Sequence, residues 1–432
     1  VSAAPPDDAL IVSVAPGEVR VGRIERGLLA DLLIERGGGE LSGEIRRAVV
    51  RGLDAGSGGA ILDIGGIEAY LDRPGEGTTI GARLLVQVRK PAIGGKRAKV
   101  NRRIEIGGDP MILTPFDPTV EISRQLNRHD RERLKNWAAD KDCGLLLGSL
   151  AASMSDTALE AEWQRLRGRW QGAVLNGAPG LALAAPDPLE RVVAALDDGS
   201  MPILMSGARL AGFGGRIEVL PIGQEAFTHF GLDERVDEAL LPSVALPSGG
   251  RLHIDQTRLG VTLDVDTSGA KDATRTALEA MAAAARQIRL RNLSGLILID
   301  PPSRGTNRDL AVETLRRALK PDPAGPIIYG LTRAGLIEIT RPRLRPSLAE
   351  LMLAPAAPQP SVAASLLSLL RQAVYGPLPK VLEVSRAGDA WLAGEGERAW
   401  ADFVGHVGYA PRRLVRGDVA DHYGRLIFPG EE

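Results

Sequence analysis

The sequence predicts several domains of α/β and α+β type, and three observations carry that prediction. Leu259–Ile299 reads as strand, helix, strand, an arrangement that requires parallel strands joined by a crossover helix. Gly43–Val100 holds short apolar runs broken by glycine at close spacing, the pattern of a small barrel. At 432 residues the chain has room for about two to four such units.

Residues 8–41 open with ALIVSVAPG, EVRVGRIERG and LLADLLIERG. Gly and Pro separate these runs, so a meander at the edge of an α/β domain is expected. EIRRAVVRGL, GGAILDIGG, IEAYLDR and RLLVQVRK follow as the barrel strands. From Arg102 to Leu181 the signal is mixed. Thr157–Val174 should be a helix, with Thr157 and Glu160 as a capping box and Trp163, Leu166 and Trp170 on its core face. Between Pro186 and Pro247, PLERVVAALDD and LDERVDEALL read as helices and PILMSG and RIEVLP as strands. His229 has no second His or Cys at ligand spacing and reads as a packed or surface residue.

The stretch from Val244 to Leu351 carries the most chemistry. Leu259–Val265 alternates polar and apolar residues, and Asp264 and Asp266 close it on one face. Thr274–Leu290 lacks Gly and Pro and favours helix. Asn292-Leu293-Ser294-Gly295 stops it, and Leu296–Ile299 is a short strand ending at Asp300. Parallel strands then bring Asp264 and Asp300 to one sheet edge, where open α/β sheets place their sites. Two carboxylates there suit Mg²⁺, which takes one or two protein carboxylates and keeps several waters. A structural role is the alternative: an Asp after a strand can cap or turn the chain, and Asp266-Thr267-Ser268-Gly269 suits a turn. A helix at Asn307–Leu319 and the strands IIYGLT and GLIEITRP continue the alternation.

Leu353–Val362 is proline-rich and reads as an extended linker. Beyond it a small α/β unit is expected from helix SLLSLLRQAV, strand KVLEVS, helix GERAWADFVGHV and strands RRLVR and RLIF, with Trp391 and Trp400 in its core.

Composition excludes several classes. Apolar residues at 44% and charged residues at 25% are those of a globular protein. No apolar run is long enough to span a bilayer, and VSAAPPDDAL lacks the basic-then-apolar order of a signal peptide. The lone Cys143 excludes an intramolecular disulfide, which fits a reducing, cytoplasmic setting; it reads as a buried small hydrophobe. A net charge of -1 gives no overall attraction to nucleic acid, so RNA binding would need local patches. Three exist: Arg341, Arg343 and Arg345; Arg286, Arg289 and Arg291; and Lys90, Lys96, Arg97, Lys99, Arg102 and Arg103. Each could equally be a solvated face.

FTHFGLDERVDEAL, LPSGGRLHIDQT, LDVDTSG, ARQIRLRNLSGLILID and GLIEITRPRLRPSL, in that order and at those distances, resemble the catalytic core of the ribonuclease E/G family. The likeness is specific from about Pro221 to Leu348. It implies a ribonuclease-H-like structural domain from residues 1–42 and 182–243, with an inserted S1 (OB-fold) RNA-binding barrel at 43–100 and a 5′-sensor-like region at 101–181. A DNase-I-like α/β catalytic domain at 244–351, a linker at 352–362 and a small C-terminal α/β domain at 363–432 would complete the chain.

The same resemblance assigns roles. Asp264 and Asp300 would hold Mg²⁺, with Mn²⁺ as an alternative, for cleavage of single-stranded RNA that leaves a 5′ phosphate and a 3′ hydroxyl. Asp266, usually asparagine in relatives, would orient the attacking water or join the coordination shell. Tyr70 and Lys96 match RNA-contacting positions of the barrel, while Ile61 replaces a phenylalanine. Arg286, Arg289 and Arg291 are candidates for phosphate contact or for salt bridges inside the interface. Gly148 and Ser149 stand where relatives place the arginine and threonine that sense a 5′ monophosphate. Without a guanidinium there, no 5′-end sensing is expected. Relatives share zinc between subunits through a Cys-x-x-Cys pair near the linker. With one cysteine, neither zinc nor a zinc-linked tetramer is expected here. A homodimer through the catalytic segment is the family expectation.

Two functions from different classes stay open: a Mg-dependent endoribonuclease of RNA processing or decay, and a catalytically weak or inactive RNA-binding protein on the same scaffold. The acidic pair favours the first. The missing sensor arginine, Ile61 and the Pro301-Pro302-Ser303-Arg304 segment, where relatives carry an aromatic and polar residues, favour the second. A phosphatase or nucleotide hydrolase would be a third, but no P-loop glycine–lysine motif is present.

Overall fold

Three apolar, β-branched runs make the opening meander. Strands β1 (Asp8–Ala15), β2 (Glu18–Glu25) and β3 (Leu28–Arg36) pair antiparallel. Gly17 and Gly27, at φ 71° and 73°, supply the left-handed turns between them. The computed structural model describes residues 2–36, 43–54, 56, 58–90, 97–108, 110–123, 126–148, 151–152, 154–171, 177–185, 187–197, 199–207, 216–268, 272–302, 307–355 and 358–431. The chain forms two compact units, Val1–Arg36 with Ala195–Glu432, and Gly37–Ala194.

The second unit begins with the barrel. Strands β4 (Ile45–Asp54), β5 (Gly59–Asp63), β6 (Glu68–Leu71), β7 (Arg83–Lys90) and β8 (Ala98–Asn101) run in the order β4-β5-β6-β8-β7, and a β4–β7 pairing closes the cylinder. Every second residue points inward, so Val50, Leu62, Leu71, Val86, Val88 and Val100 fill it. The sequence expectation of a small closed barrel is met. Next come β9 (Ile106–Gly108), β10 (Met111–Thr114), β11 (Val120–Ile122), α1 (Arg128–Ala138), β12 (Gly144–Leu147), α2 (Asp156–Gln171), β13 (Gly180–Leu183) and α3 (Pro188–Ala194). Trp163 and Leu166 of α2 are buried against β10 and β12, with Trp170 partly buried beside them. The capping box expected at Thr157 and Glu160 does not form. Ser155 caps instead, accepting from the Ala158 N–H, and Glu160 accepts from Lys141 and Gln164.

In the first unit, β14 (Ile203–Ser206) and β15 (Ile217–Val219) join the meander through a parallel β1–β14 pairing, giving the order β15-β14-β1-β2-β3. Helices α4 (Ala226–His229) and α5 (Leu232–Glu238) cover it with Phe227, Leu232 and Val236.

A six-stranded sheet follows, ordered β16-β17-β18-β19-β21-β20. Its strands are β16 (Ser243–Ala245), β17 (Arg251–Gln256), β18 (Gly260–Asp266), β19 (Gly295–Asp300), β20 (Ile327–Leu331) and β21 (Ile337–Arg341). Its helices are α6 (Ala273–Leu290), capped by Asp272, and α7 (Arg308–Leu319), capped by Asn307. The β18–α6–β19 crossover is parallel, as read from the sequence. Leu252, Ile254, Leu263, Val265, Ile297, Ile299, Ile337 and Ile339 face Met281, Ala284, Ile288 and Leu315 of the two helices. Each larger aliphatic side chain so buried contributes about 1.5–3 kcal/mol. The alternate residues lie on the other face, which this cluster leaves uncovered.

Helix α8 (Leu348–Met352) has a true capping box between Ser347 and Glu350. The proline-rich segment after it differs from the extended linker expected. Leu353 bridges Pro360, Ala354 N–H donates to Gln359, and Ser361 N–H donates to Met352, so backbone bonds fold the segment back on itself. Helix α9 (Val362–Tyr375), strand β22 (Val381–Ser385), helices α10 (Arg386–Ala393) and α11 (Glu397–Val407), and strands β23 (Arg412–Arg416) and β24 (Gly424–Ile427) end the chain. Helix α10 lies where no element was expected. Trp391 and Trp400 pack against the core of this region. Among the described residues, no helix is long and apolar enough to cross a membrane.

Candidate active site

Register places the acidic pair. On β18 and β19, Asp264 is the direct parallel partner of Asp300, which sets their Cα atoms about 4.8 Å apart. Leu263 and Ile299, one residue earlier, point into the core. Asp264 and Asp300 therefore share the uncovered face, and both are exposed. In-register neighbours on one face can reach a common ion. Among the described residues, no set of three or more His, Cys, Asp or Glu is arranged to hold a metal. Two carboxylates without a third suit a hydrated hard cation and fall short of a structural zinc cage.

Asp266 is engaged differently. Its Oδ1 accepts from the Ser268 hydroxyl and from the Ser268 N–H at 2.8 Å. These bonds, with smaller effects from His253 and Arg251, hold its carboxyl below the usual range. Arg251 is its direct cross-strand partner on β17. The added negative charge thus sits beside a cation, in the Asx turn that its sequence suits.

His253 is a residue that sequence reading passed over. It is the antiparallel partner of Asp264 on β17, so His253, Asp264 and Asp300 occupy one row across three strands. The short connection from Gln256 to Gly260 fixes that register, and counting back through it would have found the histidine.

The arginines of α6 separate. Arg289 is buried, its Nε donating to Asp31 Oδ1 at 2.9 Å and its Nη2 to Glu25 at 2.7 Å. Despite burial, these carboxylates hold its guanidinium pKa above the ordinary value. Arg291 is also buried, bonded to Gln287 and to the Leu241 carbonyl, and burial pushes it down to about 10. Both are buried, and the ion pairs of Arg289 join α6 to Glu25 and Asp31 of the opening meander. Arg286 lines a cavity. Arg341, also read as basic surface, is buried on Asp322 with Nε to Oδ2 at 2.7 Å. Such positions look like patches in a sequence because it shows charge without partner.

On the barrel, Tyr70 pairs with Ile61 of β5 on one side and with Lys99 of β8 on the other. The ring lies over Gly59: a Cβ there would be 2.0 Å from the tyrosine oxygen. Gly59 is therefore what lets Tyr70 lie against the strand. Lys96 falls outside the described residues. At the sensor-like position, Gly148 donates its N–H to the Pro110 carbonyl at 2.9 Å and offers no side chain; Ser149 is outside the described residues.

A sequence model of the Ribonuclease E/G family matches residues 210–344, which contain both β18 and β19. Ribonuclease E of Synechocystis sp. is 30% identical over 62% of this chain and 45% of its own length. Ribonuclease G of Escherichia coli is 28% identical over 78% of this chain and 80% of its own length. Ribonuclease E of Escherichia coli is 29% identical over 62% of this chain and 28% of its own length. The chain thus spans most of one relative and less than half of the other two. The matched region is centred on the acidic pair, and together these likenesses support membership of the ribonuclease E/G family.

Proposed function

We propose that the protein is an endoribonuclease of the ribonuclease E/G type, a hydrolase that cleaves single-stranded RNA in RNA processing or decay. One observation carries the reading: Asp264 and Asp300 are exposed, in-register partners on the uncovered face of the six-stranded sheet. The two carboxylates would hold Mg²⁺, or Mn²⁺ in its place. Bound there, the ion supplies charge for the scissile phosphate and lowers the pKa of a water. The chain's own part is positional. The β18–β19 pairing fixes the spacing of the carboxylates, and the packing of α6 and α7 holds both strands rigid. Asp266, tied to Ser268, would orient the water through its second oxygen. His253 would face the phosphate from the adjoining strand.

The closed barrel would act as the S1-type RNA-binding module, with Tyr70 as its stacking surface and Lys96 as a phosphate contact. The meander with β14 and β15 would be the ribonuclease-H-like scaffold, 244–351 the DNase-I-like catalytic domain and 363–432 the small C-terminal domain. A glycine at position 148 supports cleavage without 5′-monophosphate sensing. A cytoplasmic protein, a homodimer and the absence of a zinc-linked tetramer belong to the same reading.

A second reading, RNA binding without turnover, is favoured by the engagement of Asp266 with Ser268. A fluorescent single-stranded RNA incubated with the protein in Mg²⁺ or in EDTA separates the two. Cleavage in Mg²⁺ alone supports the enzyme; binding without cleavage in either leaves the scaffold.

A further inference from the structure

Beside the β16 edge of the six-stranded sheet lies a cavity of about 850 Å³, within the size range of small-molecule sites. Its walls mix aliphatic and polar side chains and include Leu28 and Leu241, which are 51% and 54% exposed. Arg286 of α6 lines it. Among the described residues this guanidinium has no hydrogen-bond acceptor and no carboxylate at ion-pair distance. Of the other charged side chains on the wall, Glu238 and Arg235 are engaged with each other at 2.9 Å, and Glu234 adds a second carboxylate. Arg251, also on the wall, faces Asp266 across the strand pair. Three arginines against two glutamates leave the wall one net positive charge, in a cavity of mixed apolar and polar lining.

A half-desolvated arginine without a partner is costly, and an anion that enters the cavity removes that cost. One uncompensated positive charge matches one negative charge. The aliphatic part of the wall, with Leu28, Leu29, Leu241 and Val244, matches an apolar body. A nucleobase would find little to stack on, because Phe230 is the one aromatic ring among the wall's lining residues.

We propose that this cavity is a binding site for a small amphipathic monoanion, a carboxylate or sulfonate on an apolar or aryl body, with Arg286 as its counter-ion. The site is separate from the row of His253, Asp264 and Asp300 and does not depend on the nuclease reading.

The test is an equilibrium fluorescence titration of the folded protein with 8-anilinonaphthalene-1-sulfonate. Parent, Arg286→Met, Leu241→Asp and the exposed control Arg333→Met are compared, with near-UV circular dichroism confirming the native fold. The parent should bind at one saturable site. Arg286→Met should weaken that site by about tenfold or more, the worth of a charge-assisted contact. Leu241→Asp should weaken it too, and Arg333→Met should leave it unchanged. Equal binding by Arg286→Met and the parent, or no saturable binding by the parent, overturns the proposal. Arg286→Met should also raise the urea midpoint, because it removes an unpaired charge; a lowered midpoint would show that the charge was paired and would likewise overturn it. Displacement of the dye by decanoate supports the site. Displacement by the dinucleotide UpA instead assigns Arg286 to an RNA strand and overturns the small-molecule assignment.

Discussion

Arg289 and Asp31 form a buried ion pair across 258 residues of sequence, with Nε to Oδ1 at 2.9 Å. It fastens α6, the helix behind the acidic pair, to β3 of the opening meander. Helix α6 thus serves two layers. Met281, Ala284 and Ile288 pack on the six-stranded sheet, while Leu290 joins the core of the meander. The position of Asp300 therefore rests on a contact far from it in the chain.

Removing one partner of such a pair strands the other. Arg289→Met should destabilise the protein by about 3–5 kcal/mol, read as a lower urea midpoint, and should leave the RNA affinity of the folded protein unchanged. Weakened RNA binding with unchanged stability would restore Arg289 as a phosphate contact.

At the acidic pair, Asp264→Asn and Asp300→Asn should each lower Mg²⁺-dependent cleavage of single-stranded RNA by at least about a hundredfold. Melting temperatures should stay near that of the parent, because both side chains are exposed. Turnover by either variant at the parent's rate would remove the metal site from these residues.

On the barrel, Tyr70→Ala should weaken binding of single-stranded RNA by about 1–3 kcal/mol, the worth of one stacked base. Gly59→Val should act in the same direction with Tyr70 itself unchanged, because its side chain would occupy the space of the tyrosine ring and displace it. Filter binding reads both, and affinities equal to the parent's would take Tyr70 out of the RNA path.

The barrel also carries an acid-sensitive turn. The Arg51 guanidinium and the N–H groups of Gly66 and Gly65 hold the Asp63 carboxyl down to about 2. A lowered folded-state pKa means that the contribution is complete above the unfolded value of about 4 and is lost as pH falls towards 2. Asp63→Asn should therefore destabilise the protein at neutral pH, and the difference should shrink between pH 4 and pH 2. A difference independent of pH would show that Asp63 acts by shape alone.

Several features were legible in the residues themselves. Alternation in Leu259–Val265, the Gly- and Pro-free run to Leu290 and the stop at Asn292 set a parallel crossover, and the glycine spacing from residue 43 set the barrel. These are local signals, because periodicity and turn chemistry act over a few neighbours. Register was not local. That His253 stands opposite Asp264, and that Tyr70 lies over Gly59, depends on which strands pair and where. Helix α10 has only eight residues and carries Gly388 inside them, so its local helix signal is weak.

The amino-acid sequence by itself determined the elements, the crossover that brings two aspartates to one sheet edge, and the kinship that their surroundings express. Only the tertiary structure decided which charges are available. Arg289, Arg291 and Arg341 have the same chemistry as Arg286 in the sequence, yet three are buried with internal partners and one is left facing a cavity. The physical reason is that a side chain's charge is written in its residue type, whereas its solvation and its partner are set by chain segments hundreds of residues away.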